Sequence, residues 1–402
     1  MRRLIDTIAA IPLAGHAAAL AAGFGLLAAA GDLSRHVGLY LTVHGVLSIV
    51  CLHAATRAEA RGLVARPRWI LAAALLFRVM QIPAAPSLSD DLWRYLWDGR
   101  VSEAGINPFA HAPDARALAA LRDGDWAKIN HREIPTIYPP LAQFAFRAAR
   151  GIGSGSAALK SLWVLCDLGV MAVLVALLAR SRRPASRLIL YAWNPLVVVE
   201  VARAGHVDVL GILFVTLALW AVAAGRERAG VAAVSLAGLA KLIPFGLLLW
   251  FLPRRPRATA ALAATLVAVG YLPFLGAGST LFAGLAAYGE HWRFHPLGFG
   301  LLAAWVSDPR AARLLALALW LGATGVTVLR GATFERAAFV FFGGYLLLSP
   351  TLHPWYFLWI LPFAALRRSR AWWLAAALAP LGYGVLARYR DGGPWREIPW
   401  VP

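Results

Sequence analysis

The sequence predicts an all-α integral membrane protein: a polytopic bundle of about 11 transmembrane helices, a re-entrant hairpin, and a large outward-facing loop carrying short interfacial helices. Three observations predict it. Of the 402 residues 60% are hydrophobic and 15% charged, with a mean hydropathy of +0.64, against about 45–50% apolar and about 25% charged in soluble chains. Apolar stretches of about 20 residues recur along most of the length. The basic residues gather in short clusters between those stretches. The composition excludes a soluble globular enzyme, and an aromatic content of 11% excludes disorder. A net charge of +19 would suit nucleic acid if it lay on one exposed face; divided among the segment ends it sets topology, and no nucleic-acid partner is expected.

The stretches lie at 8–30, 37–56, 69–86, 157–179, 188–203, 207–224, 258–275, 312–329, 337–351, 355–366 and 371–387. Arg2 and Arg3, the cluster Arg57 to Arg68, the cluster Arg180 to Arg187, Arg226 and Arg228, Arg254 to Arg257, Arg330 and Arg336, and Arg367 to Arg370 become cytoplasmic under the positive-inside rule. Residues 231–252 are flanked by basic clusters on both sides and are too short to cross twice. They are read as a re-entrant hairpin, with Lys241 and Pro244 near its middle, where a turn buried among helices can satisfy its backbone. Residues 297–306 are read as a short helix at the outer surface. The N-terminal run carries two arginines and small residues in the manner of a signal peptide, but its apolar part is longer than an h-region and is read as a span. The chain is thus expected to be one polytopic domain over 1–402, with the loop at 87–156 facing outward. Cys51 and Cys166 fall inside apolar runs and imply neither disulfide nor zinc.

That loop opens with Ser87-Leu88-Ser89-Asp90-Asp91-Leu92-Trp93-Arg94-Tyr95-Leu96-Trp97-Asp98-Gly99-Arg100, in which serines precede a helix and acids occupy its first turn. Asp91, Tyr95 and Asp98, at i, i+4 and i+7, share one face. Trp93, Trp97 and Arg100 occupy the other, as on a helix lying at a membrane interface. The acid pair has two readings. Either Asp90 and Asp91 are dipole-favoured residues, with Asp90 paired to Arg94, or one of them is a desolvated carboxylate that takes a proton from a hydroxyl nucleophile. Adjacent acids on a helix diverge by about 100° and are poor joint metal ligands; no metal is expected.

Further polar groups fall on the same side. Gly105-Ile106-Asn107-Pro108 and Tyr138-Pro139-Pro140-Leu141 are rigid loop segments of the kind that bind ligands. Glu200, Arg203, His206 and Asp208 lie at the outward junction of two spans, where ionisable residues are expensive; Glu200 and Arg203 are read either as a helix-locking pair or as functional. Arg78 and Asp167, inside spans, are read as structural partners. Arg293 and His295 form another outward cluster. His353, in Thr351-Leu352-His353-Pro354-Trp355-Tyr356, is not explained by an aromatic belt, although Trp355 and Tyr356 are.

Taken together, Ser89-Asp90-Asp91, Tyr95, Trp97-Asp98-Gly99-Arg100, Gly105-Ile106-Asn107-Pro108, Tyr138-Pro139-Pro140-Leu141, His206-Val207-Asp208 and His353-Pro354-Trp355-Tyr356 resemble the GT-C superfamily of polyprenyl-phosphate-sugar-dependent glycosyltransferases, especially glycosyltransferase family 87 and bacterial alpha-mannopyranosyltransferases. The resemblance implies a GT-C-like fold and an inverting transfer of mannose or a similar hexose from a polyprenyl-phosphate carrier to a glycolipid or glycan acceptor. It places the general base at Asp91, with Asp90 as supporting or alternative acid. It makes Arg94, Arg100, His206 and His353 holders of the carrier phosphate, and Tyr95, Asp98, Asn107, Tyr138, Asp208 and Tyr356 further substrate-binding residues. No resident cofactor is implied, since the lipid-linked sugar is itself the donor.

The expected setting is the cytoplasmic (inner) membrane, multi-pass, with the active site facing the outside or periplasm and membrane lipids as neighbours. A transporter or flippase of lipid-linked sugars would share the many spans and buried charges, but no internal repeat is apparent and the chemistry-bearing residues cluster on one side. A GT-C-like transferase acting on protein or lipid A would share the layout altogether.

Overall fold

A computed structural model of the chain describes residues 12–60 and 67–390. The readings placed on Arg2, Arg3, Arg61, Arg66 and the start of the first stretch lie outside these residues.

The described chain is helical. In order, α1 is Leu13–Ala29, α2 Val37–Ala60, α3 Pro67–Gln81, α4 Asp91–Glu103, α5 Pro140–Ile152, α6 Ser156–Arg180, α7 Asp208–Ala223, α8 Glu227–Ala240, α9 Pro256–Tyr271, α10 Ala283–His291, α11 Gly298–Trp305, α12 Pro309–Leu329, α13 Phe334–Leu348, α14 Leu361–Arg367, α15 Arg370–Leu378 and α16 Gly384–Arg390. Proline opens α3, α5, α9 and α12, where its missing N–H costs nothing. The Asp308 carboxylate caps α12 by accepting from the amides of Arg310 and Ala311, each at 3.1 Å. Among the described residues the sole β pairing is an isolated bridge between Phe294 and Thr351.

Helix fills most of the described part of each apolar stretch, but continuous spanning length is rarer. Val37–Ala60, Ser156–Arg180, Pro256–Glu290 and Pro309–Leu329 are long and apolar enough to cross a membrane. A fifth candidate is the pair Ala185–Ala192 and Pro195–Ala204, bent by 52° at Trp193 and Asn194. Pro195 causes that bend by withdrawing an N–H and restricting Asn194, and the Asn194 side chain caps the second half by accepting from the Leu196 amide at 2.9 Å. The remaining apolar stretches carry shorter helices, among them Leu13–Ala29 and Asp208–Ala223, so their number of crossings does not follow from helix length. Even Pro256–Glu290 is interrupted at Gly278, which has φ +58°.

The chain divides into two compact units, the first comprising residues 1–88, 167–204 and 354–402 and the second 89–166 and 205–353. In the first, α1 packs on α2 and α3. A charged knot is buried there: Arg78 Nε donates to Asp167 Oδ2 at 2.5 Å, Tyr191 Oη to Asp167 Oδ1 at 2.7 Å and Arg78 Nη1 to the Ala192 carbonyl at 2.7 Å. The two charges found inside spans are therefore each other's partners, which is how apolar surroundings tolerate them. Glu200 accepts from Tyr383 Oη at 3.0 Å. Arg203 donates to the carbonyls of Leu27 and Gly31 and to Gln81 Oε1. Both residues thus hold this unit together. Tyr356 also belongs to it, buried with its ring 5.9 Å from that of Trp355.

In the second unit, α4 packs on α5 and α7 on α8. Gly99 permits the first contact, since a Cβ there would stand 2.7 Å from the Phe146 carbonyl oxygen. Two local expectations need correction. Trp97 does not face lipid: 3% exposed, it forms a cluster with Val101, Leu118 and Ile129, and the half-buried Trp93 packs against it. The segment at 116–129 folds back over them, and Lys128 Nζ sits 4.0 Å above the Trp93 ring. Arg94 does not turn back to Asp90; its Nε donates to Asp98 Oδ1 at 2.9 Å, one turn onward, because Asp98 is buried and in need of donors.

Candidate active site at the head of α4

Helix α4 begins at Asp91 immediately after Asp90, which occupies the N-cap position without a side-chain capping bond; the Ser89 hydroxyl instead accepts from the Asp91 amide at 3.3 Å. The two acids differ in surroundings. Asp90 is exposed, whereas the Asp91 side chain keeps 28% exposure and faces other functional groups. Tyr95, one turn on, donates its hydroxyl to Asp91 Oδ2 at 3.3 Å, as the shared helix face predicts. His206 Nδ1 stands 3.6 Å from the same oxygen, an electrostatic pairing slightly longer than a good hydrogen bond.

His206 reaches that position from the turn before α7. Gly205 has φ +77°, and a Cβ there would stand 2.4 Å from Leu92 Cδ1, so only glycine lets this turn lie against α4. Asp208 begins α7 and accepts from Lys241 Nζ at 2.7 Å. Lys241 lies in the break after α8 with extended backbone, φ −155° and ψ 130°, and its side chain keeps 19% exposure.

Burial alone would raise the Asp91 pKa, but the hydrogen bond and charge of His206, with the charge of Lys241, bring it below the ordinary carboxylate value. Asp91 is therefore ionised at neutral pH. Burial first, and then the Asp91 charge, raise the phenols of Tyr95 and Tyr138, which stay protonated as donors. Their rings meet edge to face at 4.8 Å. His353 is held by a short paired segment in which the Phe294 amide donates to the Pro350 carbonyl at 3.2 Å and the Leu352 amide to the Phe294 carbonyl at 2.8 Å. Its ring stacks on Phe294 at 4.6 Å, and burial lowers its pKa to about 3, leaving it neutral.

The other expected residues are placed differently. Asp98 Oδ2 accepts from Thr136 Oγ1 at 2.5 Å and Gln143 Nε2 at 3.0 Å, and Arg94 Nη1 donates to the Ile134 carbonyl at 3.0 Å. Arg100 pairs with Asp123 and donates to the Leu121 carbonyl at 3.1 Å. Asn107 Nδ2 donates to the Phe274 carbonyl at 2.9 Å, and its Oδ1 accepts from the Phe109 amide at 3.0 Å. These four side chains tie the large loop into the second unit. Arg293 is exposed and His295 buried, beside the segment that holds His353. Among the described residues no group of three or more His, Cys, Asp or Glu side chains could hold a metal ion.

Lys241 is the residue that sequence reasoning did not assign to this site. A signal was present: the chain has three lysines among 39 basic residues, and two of them, Lys160 and Lys241, stand in apolar segments.

Fold and site define a helical membrane protein with an ionised carboxylate set among histidine, lysine and tyrosine donors. A family model described as alpha-(1->6)-mannopyranosyltransferase, N-terminal domain, matches residues 8–253. This is more than half of the chain, which belongs to that family. Membership supports a glycosyltransferase of mannosyl type. The match includes Asp91, Tyr95, His206, Asp208 and Lys241 and ends before His353. Comparison with curated proteins and with solved structures gives no match.

Proposed function

We propose that the protein is an inverting hexosyltransferase that moves mannose from a polyprenyl-phosphate carrier to a glycolipid or glycan acceptor at the outer face of the cytoplasmic membrane. In this reading the chain is a GT-C-like bundle of about 11 crossings, with 231–252 re-entrant and 87–156 on the outer side. The observation that carries the chemistry is the Asp91 carboxylate, partly exposed at the head of α4 with His206 Nδ1 at 3.6 Å.

Asp91 takes the proton from the acceptor hydroxyl as that oxygen bonds to the anomeric carbon. The bond from that carbon to the carrier phosphate breaks on the opposite face, and the polyprenyl phosphate leaves with the electron pair. Fixed cationic and N–H donors stabilise the charge that grows on it. Lys241 and His206 are the donors nearest this chemistry, and His353, neutral, supplies a further hydrogen-bonding ring. Arg94, Arg100, Asp98 and Asn107 act as positioning residues, and Tyr138 and Asp208 hold Tyr95 and Lys241. Asp90 is the alternative acid.

The test is reconstitution of the purified protein with a panel of polyprenyl-phosphate sugars and a crude lipid extract, comparing the wild type with Asp91→Asn. Sugar transfer that depends on Asp91 is the expected result and names the donor. If neither protein consumes any carrier sugar while both remain folded, a transporter of lipid-linked sugars displaces this reading.

A further inference from the structure

Within the first unit a small recess opens where several helices end. Glu59, Arg187, Arg368, Arg370 and Trp373 line it, with Leu52 and Leu190 on its apolar side. We infer that this recess binds the phosphate of an anionic membrane-lipid headgroup.

Charge points to an anion. Glu59 accepts from Arg187 Nε and Nη2 at 3.3 and 3.2 Å through one oxygen, and from Arg368 Nε at 2.9 Å through the other. One carboxylate thus pairs with two guanidinium groups, and a third, that of the exposed Arg370, lines the recess beside them. A second, independent observation is a missing acceptor. Trp373 is 4% exposed, and its Nε1–H finds no partner among the described residues, a costly state for a buried donor. A phosphate supplies the acceptor oxygens that the indole lacks, and guanidinium forks match its geometry.

Depth points to a lipid. Glu59 is the penultimate residue of α2, a helix of 24 residues that is long and apolar enough to cross the bilayer. Its end therefore lies at headgroup level, where basic pockets between helices bind anionic headgroups. Leu52, almost two turns back along α2, offers an apolar wall toward the acyl region.

The test uses the full chain purified in a neutral maltoside. Dioctanoyl phosphatidic acid, dioctanoylglycerol and inorganic phosphate are titrated separately while thermal unfolding is followed. Phosphatidic acid should raise Tm saturably, and dioctanoylglycerol should not. Arg370→Gln should weaken phosphatidic acid binding about tenfold by removing a charge-assisted contact. Trp373→Phe should weaken it about fivefold, yet leave the lipid-free Tm unchanged or higher, because it deletes an unsatisfied donor. Inorganic phosphate binding as tightly as the lipid would make this a free-anion site and overturn the lipid assignment. No shift with phosphatidic acid, or wild-type affinity in both variants, would overturn the site itself.

Discussion

His206 Nδ1 stands 3.6 Å from Asp91 Oδ2, although more than a hundred residues of chain separate the two. The approach depends on a glycine at 205, on Leu92 filling the space that a Cβ would occupy, and on an aspartate that begins its helix where the dipole favours negative charge. Each part of this arrangement has a measurable consequence.

Removing the charge at position 91 should remove the base without removing the fold. Asp91→Asn is expected to lower kcat by about 10³-fold, within the span usual for a general base, while the unfolding temperature in detergent stays close to that of the wild type. Asp90→Asn, at an exposed N-cap that makes no capping bond, is expected to stay within a few-fold of wild type. Turnover in proteoliposomes distinguishes them; a silent Asp91→Asn paired with a dead Asp90→Asn would transfer the role to Asp90.

The pH profile should report His206. Burial raises the Asp91 pKa, and His206, with Lys241, more than offsets it. The carboxylate is therefore the populated form down to below the ordinary carboxylate range, and the acid limb of kcat/KM from this group lies there. In His206→Gln the burial effect is less opposed, so the limb should move to higher pH. A limb that stays in place in this variant would mean that His206 does not tune Asp91.

Lys241 and Asp208 should behave as a coupled pair. Either Lys241→Met or Asp208→Asn leaves one charge largely buried without its 2.7 Å partner, at a cost of about 3 kcal/mol in stability. The double variant should recover much of this loss, and a cycle of unfolding free energies measures the coupling. If Lys241 also holds the departing phosphate, the stable double variant will remain catalytically poor.

Gly205→Ala should be costly for two separate reasons: φ is +77°, and the new methyl meets Leu92 Cδ1. A loss of about 1–3 kcal/mol is expected. Leu92→Ala in the same background relieves the clash but not the backbone strain, so thermal unfolding of the pair divides the cost between them.

Much of this was legible in the residues themselves. The period of 3.6 puts Asp91 and Tyr95 on one face, and the hydroxyl of Tyr95 does donate to Asp91. The same period also put Trp93 and Trp97 on one apolar stripe, but a stripe does not say what covers it. Here the cover is the segment at 116–129 rather than lipid. The choice of Asp98 over Asp90 as the partner of Arg94 was equally hidden, because it turns on Thr136 and Gln143, which approach only when α5 packs on α4.

By itself, the sequence determined that this is a helical membrane protein and where its apolar segments lie, since bilayer thickness and the absence of water inside it act on every stretch locally. It also marked the acid-rich head of α4 as the place to look, because charge beside apolar segments is expensive wherever it occurs. Tertiary structure alone decided which of two adjacent acids meets a histidine, that Lys241 rather than Arg94 or Arg100 approaches it, and that Arg78 and Asp167 neutralise each other. Those pairings depend on distances across the fold, and the electrostatic energy that selects them varies inversely with distance and is greatest at contact.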